Sequence, residues 1–121
     1  MMTVTIREQT ARQLTKVADD QATSPEELVE KAIRELLRSE ADRILAREMD
    51  AFRTLHSSLL QQFPKEYVAI HRGELIDHDA DQYALYLRVD ETYPDEIILI
   101  KQVNPSIEEV YTIRQFQISH D

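Results

Sequence analysis

The chain has 121 residues and a formal net charge of −9, enough for one domain or two very small ones, with a core that is small or shared. It has no Cys, hence no thiolate nucleophile, disulfide or Cys-ligated zinc, and with Gly73 alone it has no glycine-rich phosphate loop or nucleophile elbow. The longest aliphatic run, Ile97 to Ile100, is far short of a membrane span, and no apolar signal segment opens the chain, so the cytoplasm is the expected compartment.

From Thr3 the alternation Thr-Val-Thr-Ile-Arg puts Val4 and Ile6 on one face of a strand and Thr3, Thr5 and Arg7 on the other. No second strand pattern follows until after Pro64, so the backbone groups of this strand need another chain to pair with. Thr10 and Gln13 read as a capping box for a helix that carries Leu14, Val17 and Ala18 on one side and ends between Asp19 and Thr23. Ser24-Pro25-Glu26-Glu27 opens a second helix with an N-cap Ser, Pro at the first position and Glu at the third. Leu28, Val29, Ala32, Ile33, Leu36 and Leu37 then make an apolar stripe wider than a lone surface helix needs.

With no breaker between Pro25 and Pro64, helix is expected to persist through residues 39–62, with an interruption near Ser39. Here Leu45, Met49, Phe52, His56, Leu59 and Phe63 recur in steps of four and three, the seam of a coiled coil or of a helix lying on a domain. After Pro64 the pattern turns to strand. Tyr67 to Ile70 and Glu74 to Ile76 flank Gly73 as a hairpin, Asp79 to Tyr93 reads as a helix stopped by Pro94, and Ile97 to Val103 reads as a central strand. Val110, Thr112, Arg114, Phe116 and Ile118 belong to a last strand. The expectation is an α+β chain: a dimeric one-strand, two-helix module over 1–38, a connecting helix over 39–62 and a small acidic β-β-α-β-β domain over 63–121. Charge follows the same division, with six basic and seven acidic side chains in 1–38, three and four in 39–62, and five and twelve in 63–121. A near-neutral part joined to one of −7 points to two functions on one chain.

The run Thr3-Val4-Thr5-Ile6-Arg7, then Leu14 and Val17, then Ser24-Pro25-Glu26-Glu27-Leu28-Val29 with Ala32-Ile33 resembles the ribbon-helix-helix family of bacterial repressors and antitoxins. The resemblance covers about a third of the chain and implies a homodimer whose paired strands enter the major groove of operator DNA. It places Thr3, Thr5 and Arg7 at base edges and the helix start at Ser24 at a phosphate. The family usually has Gly between its helices where this chain has Ala22, which costs about 1 kcal/mol in a left-handed conformation. Residues 63–118 resemble small bacterial domains of unknown function through Tyr67-Val68-Ala69-Ile70-His71, the acidic turn Asp77-His78-Asp79-Ala80-Asp81, and Leu85-Tyr86 through Tyr93-Pro94. That resemblance implies a fold and a small protein partner encoded nearby, such as a cognate toxin.

The acidic turn lacks the spacing of a metal site, so Asp79 is read as a helix cap, Asp81 as a charge at the helix's positive end and His78 as a local pair, with no metal or other cofactor. His71 could meet His78 as a surface pair, and His56 on the apolar seam reads as a hydrogen-bonded, partly buried His. Tyr86 and Tyr93 fall on the core side of their helix, leaving Tyr83 and Tyr111 to face a partner. No catalytic residue is expected, since Ser57 and Ser58 have no base beside them. The sequence thus predicts a dimeric repressor or antitoxin-like protein that is not an enzyme, or, as the alternative, a dimeric adaptor that does not bind DNA.

Overall fold

The computed structural model describes residues 2–107 and 112–114 as an α+β chain: α1 Glu8–Asp20, α2 Pro25–Gln62, β1 Tyr67–His71, β2 Glu74–Asp79, α3 Gln82–Thr92, β3 Ile98–Gln102 and β4 Thr112–Arg114. It divides into two compact units, Met1–Leu37 and Arg38–Asp121. Helix α2 passes the division without a break. Residues 39–62 therefore continue the second helix, and the interruption expected near Ser39 is absent, because the stretch holds neither Gly nor Pro. No helix among the described residues is long and apolar enough to cross a membrane. Val110, Tyr111, Phe116 and Ile118 lie outside the described residues.

In the first unit, residues 2–7 carry no strand. The strand expected from Thr3 to Arg7 is not formed, and no described strand lies beside it to take its hydrogen bonds. Helix α1 begins two residues before the expected capping box: Arg7 stands at the N-cap with φ −61° and ψ 145°, and no side chain caps the helix. Its other end closes in a Schellman turn, in which Thr23 N–H donates to Ala18 O at 2.9 Å and Ala22 N–H to Asp19 O at 3.2 Å. Ala22 sits at φ 54°, the left-handed position that glycine favours. The α2 cap matches its sequence signal, with Glu27 N–H donating to Ser24 Oγ at 3.2 Å and Thr23 Oγ1 donating to the Glu27 carboxylate at 2.7 Å.

The second unit has three layers. Its sheet runs β2-β1-β3-β4, with every neighbouring pair antiparallel. One face packs Val68, Ile70 and Leu99 against Leu45, Met49 and Phe52 of α2; the other packs Ala69, Ile98 and Ile100 against Leu85 and Val89 of α3. Because β1 and β3 are covered on both faces, they read as unbroken apolar runs rather than as alternation. The seam that begins at Leu45 is thus a helix lying on its own domain. Between β1 and β2 a two-residue turn puts Arg72 at φ 51° and Gly73 at φ 79°, the positive φ pair that suits the twist of a tight hairpin. A β-bulge interrupts the pairing between Ala69 and Ile70, leaving Ile76 as the extra residue on β2.

Among the described residues two charged side chains are buried on the α2 side of this core: Lys101, whose ammonium lies 5.6 Å from the Phe52 ring centroid, and Glu48. Glu48 is 0 % exposed. Its Oε2 accepts Arg72 N–H at 2.6 Å and its Oε1 accepts Gly73 N–H at 3.0 Å, so both donors of the hairpin turn end on one buried carboxylate. Arg47 Nε stands 3.6 Å from the same group. A buried carboxylate is tolerated when its lone pairs are met in this way.

Two substitutions test these features in a denaturant titration. Ala22→Gly should stabilise the chain by about 0.5–1 kcal/mol, since it relieves the left-handed position; a loss of stability would contradict that strain. Glu48→Leu should cost about 2–4 kcal/mol, since it strands two turn N–H groups; a cost under about 1 kcal/mol would mean that the turn holds itself.

Candidate functional site

The first unit is two helices with almost no interior. Ala18 is its one buried residue among those described, while Val4 is 70 % and Leu36 67 % exposed, and Ile6, Val17 and Ile33 are also at the surface. Ile6, Ala11, Leu14, Pro25 and Val29 line an open cleft of about 450 Å³ between the start of the chain and the two helices. Thr3, Thr5 and Arg7 are all exposed. Thr3 and Thr5 lie in the irregular segment before α1, and Arg7 joins it to the helix, so the three precede α1 in one short stretch.

Ser24 is less open to a phosphate than its cap position suggests. Its Oγ already accepts from Glu27 N–H, Pro25 has no N–H to offer, and the first turn of α2 carries Glu26 and Glu27. Those carboxylates take up much of the attraction a helix start has for an anion.

In the second unit the acidic turn is organised around a residue that sequence reasoning did not single out. Arg88, on α3, donates to Asp77 through Nε at 3.0 Å and a terminal nitrogen at 3.2 Å, to Asp79 at 2.8 Å and to the carbonyl of His78 at 3.1 Å. The cap differs from expectation. Asp81, not Asp79, caps α3 by accepting from Tyr83 N–H and Ala84 N–H, and Asp79, at the end of β2, accepts from Asp81 N–H at 2.8 Å. A carboxylate can reach the second and third N–H of a helix only from the residue just before it, which here is 81.

These contacts set the charge states. Arg88 first, then the N–H of His78, hold the Asp77 carboxyl below its ordinary range against the opposing effect of burial. Asp79 is lowered mainly by the N–H of Asp81 and then by Arg88, and the Arg88 guanidinium is correspondingly raised. Among the described residues no group of three or more His, Cys, Asp and Glu side chains is arranged to hold a metal ion.

His71 and His78 do not meet. His71 pairs with Glu74 at the turn end of the hairpin while His78 pairs with Val68 near its open end. His78 stacks on Phe63 with ring centroids 3.9 Å apart and shares a 3.0 Å hydrogen bond with Glu66. His71 donates from Nε2 to Glu96 at 3.2 Å. His56 donates from Nε2 to the carbonyl of Asn104 at 2.6 Å, a partly buried structural contact. Tyr86 and Tyr93 pack on the α3 side of the core, whereas Tyr83 is 69 % exposed, with Leu87 one turn along on the same outer side. Tyr111 lies outside the described residues.

The signal that could have exposed Glu48 is its place between Leu45 and Met49 in the apolar stripe, where a carboxylate implies a buried donor. Arg88 had no such signal, being on α3 and eleven residues from Asp77 on β2. Comparison with protein-family models, with curated proteins and with solved structures finds no match.

The lowered Asp77 and Asp79 groups stabilise the fold above the ordinary carboxylate pKa of about 3.9, and that contribution is lost as pH falls through their lower folded values. Arg88→Ala should therefore melt below the parent at pH 7, and the gap should close on acidification below about pH 4. A gap of constant size down to pH 2 would mean that Arg88 acts through packing alone.

Proposed function

We propose that this chain is a dimeric DNA-binding repressor or antitoxin-like protein, with its acidic second unit given to a protein partner. The observation that carries the reading is the missing interior of the first unit: Val4, Ile6, Val17, Ile33 and Leu36 are exposed and a single described residue of that unit is buried. An apolar stripe left open in this way is accounted for when two copies share one core. Pairing of residues 3–7 across the two copies would satisfy their backbone groups, bury Val4 and Ile6, and turn Thr3, Thr5 and Arg7 outward together. Arg can donate twice to a guanine edge and Thr can reach either kind of base.

The second unit is suited to a basic protein surface, because residues 63–121 carry −7, and Tyr83 offers an aromatic anchor on the outer side of α3. A dimeric adaptor without DNA binding is favoured by one observation, the carboxylates of Glu26 and Glu27 at the start of α2, which weaken the phosphate contact that the repressor reading assigns to Ser24.

Arg7→Ala decides between them. In a dimer it removes two groove contacts of about 1–3 kcal/mol each, so affinity for DNA from the gene's own promoter should fall by one to several orders of magnitude at fixed salt. The melting curve should not move, because Arg7 is exposed and caps nothing with its side chain. Promoter binding equal to that of the parent, or a parent with no promoter preference, leaves the adaptor.

A further inference from the structure

A second cleft, of about 210 Å³, opens in the second unit where the β1–β2 turn meets the loop before β3. Arg47 enters it from α2, His71 and Arg72 from the hairpin, and Asp95 and Glu96 from the loop, over a floor of Ile44 and Ile97. Neither arginine is fully engaged. Arg47 stands 3.6 Å from Glu48 and the Arg72 guanidinium 3.7 Å from Glu96, both beyond hydrogen-bond reach. Glu48 is already occupied by the turn N–H groups, so it competes little for either guanidinium.

The charges around the cleft restrict what can enter. A bare anion would meet Asp95 and Glu96 and the field of a segment carrying −7. A bare cation would meet two guanidinium groups. A molecule with both charges and no net charge satisfies both sides, its carboxylate between the arginine forks and its ammonium toward Asp95 and the Glu96 carboxylate, which His71 also holds. Ile44 and Ile97 give the lining an apolar part that a short aliphatic group can contact. The volume lies below the roughly 300 Å³ at which ordinary ligand pockets begin, which limits the occupant to something very small. We propose that this cleft binds a free α-amino acid with a short aliphatic side chain. The site is independent of the DNA-binding reading and adds a small-molecule input to the acidic unit.

The test is calorimetric titration of the full chain with L-valine, with isovalerate, which lacks the amine, with isobutylamine, which lacks the carboxylate, and with inorganic phosphate. Valine should saturate in the millimolar range or tighter, and each of the other three should bind at least about tenfold more weakly. Arg72→Asn should weaken valine binding by about tenfold or more without shifting the melting curve, because Asn suits the left-handed turn and keeps the N–H that Glu48 accepts. Arg47→Gln, on the exposed side of α2, should do the same and serves if the turn variant fails to fold. The proposal falls if valine does not saturate by about 10 mM, if isovalerate, isobutylamine or phosphate binds as tightly as valine, or if the folded arginine variants bind valine like the parent.

Discussion

The second unit depends on a carboxylate that reaches from a helix into the turn of a hairpin. A two-residue turn with both φ values positive presents two adjacent N–H groups, and at the partly buried rim of the core those groups need an acceptor. Glu48 accepts both from the buried face of α2. The contact sets where along α2 the sheet lies, which in turn brings Phe52 and Met49 onto Val68, Ile70 and Leu99. Apolar packing alone is non-directional and would tolerate sliding. A buried, doubly hydrogen-bonded charge does not, since a shift of one helical turn would leave it without donors.

The two units differ in kind. The second has α2 on one face of its sheet and α3 on the other, with the central strands fully covered. The first has a closed turn at the end of α1, a side-chain cap at the start of α2 and little apolar burial. Local signals of this sort stabilise a helix by about 1 kcal/mol each and do not replace a core. The near-neutral charge of residues 1–38 against −7 over 63–121 runs with this contrast.

What could be read in the sequence was local. The Ser24 cap, the stop at Pro94, the turn at Gly73 and the seam from Leu45 to Leu59 each depend on a few neighbouring residues, and each is found in the structure. The start of α1 was misplaced because Thr10 and Gln13 have capping chemistry, yet the chain is already helical from Glu8. The α3 cap was misplaced by two residues because three aspartates compete for it and spacing alone does not rank them. The role of Arg88 was invisible for another reason: its partners sit on β2, at positions that depend on the register of that strand.

That register depends on one inserted residue. From the turn, His71 pairs with Glu74 and Ile70 with Leu75, and a regular ladder would continue with Ala69 opposite Ile76 and Val68 opposite Asp77, placing a carboxylate on the α2 face among Val68 and its apolar neighbours. The extra residue shifts the count by one. Asp77 then falls opposite Ala69 on the α3 face, within reach of Arg88, and His78 falls opposite Val68 on the α2 face, where it stacks on Phe63. Between Leu75 and Asp77 the quantity that matters is chain length more than side-chain identity: another aliphatic residue at 76 preserves the arrangement, whereas a deletion there exchanges the two faces for every residue that follows in β2.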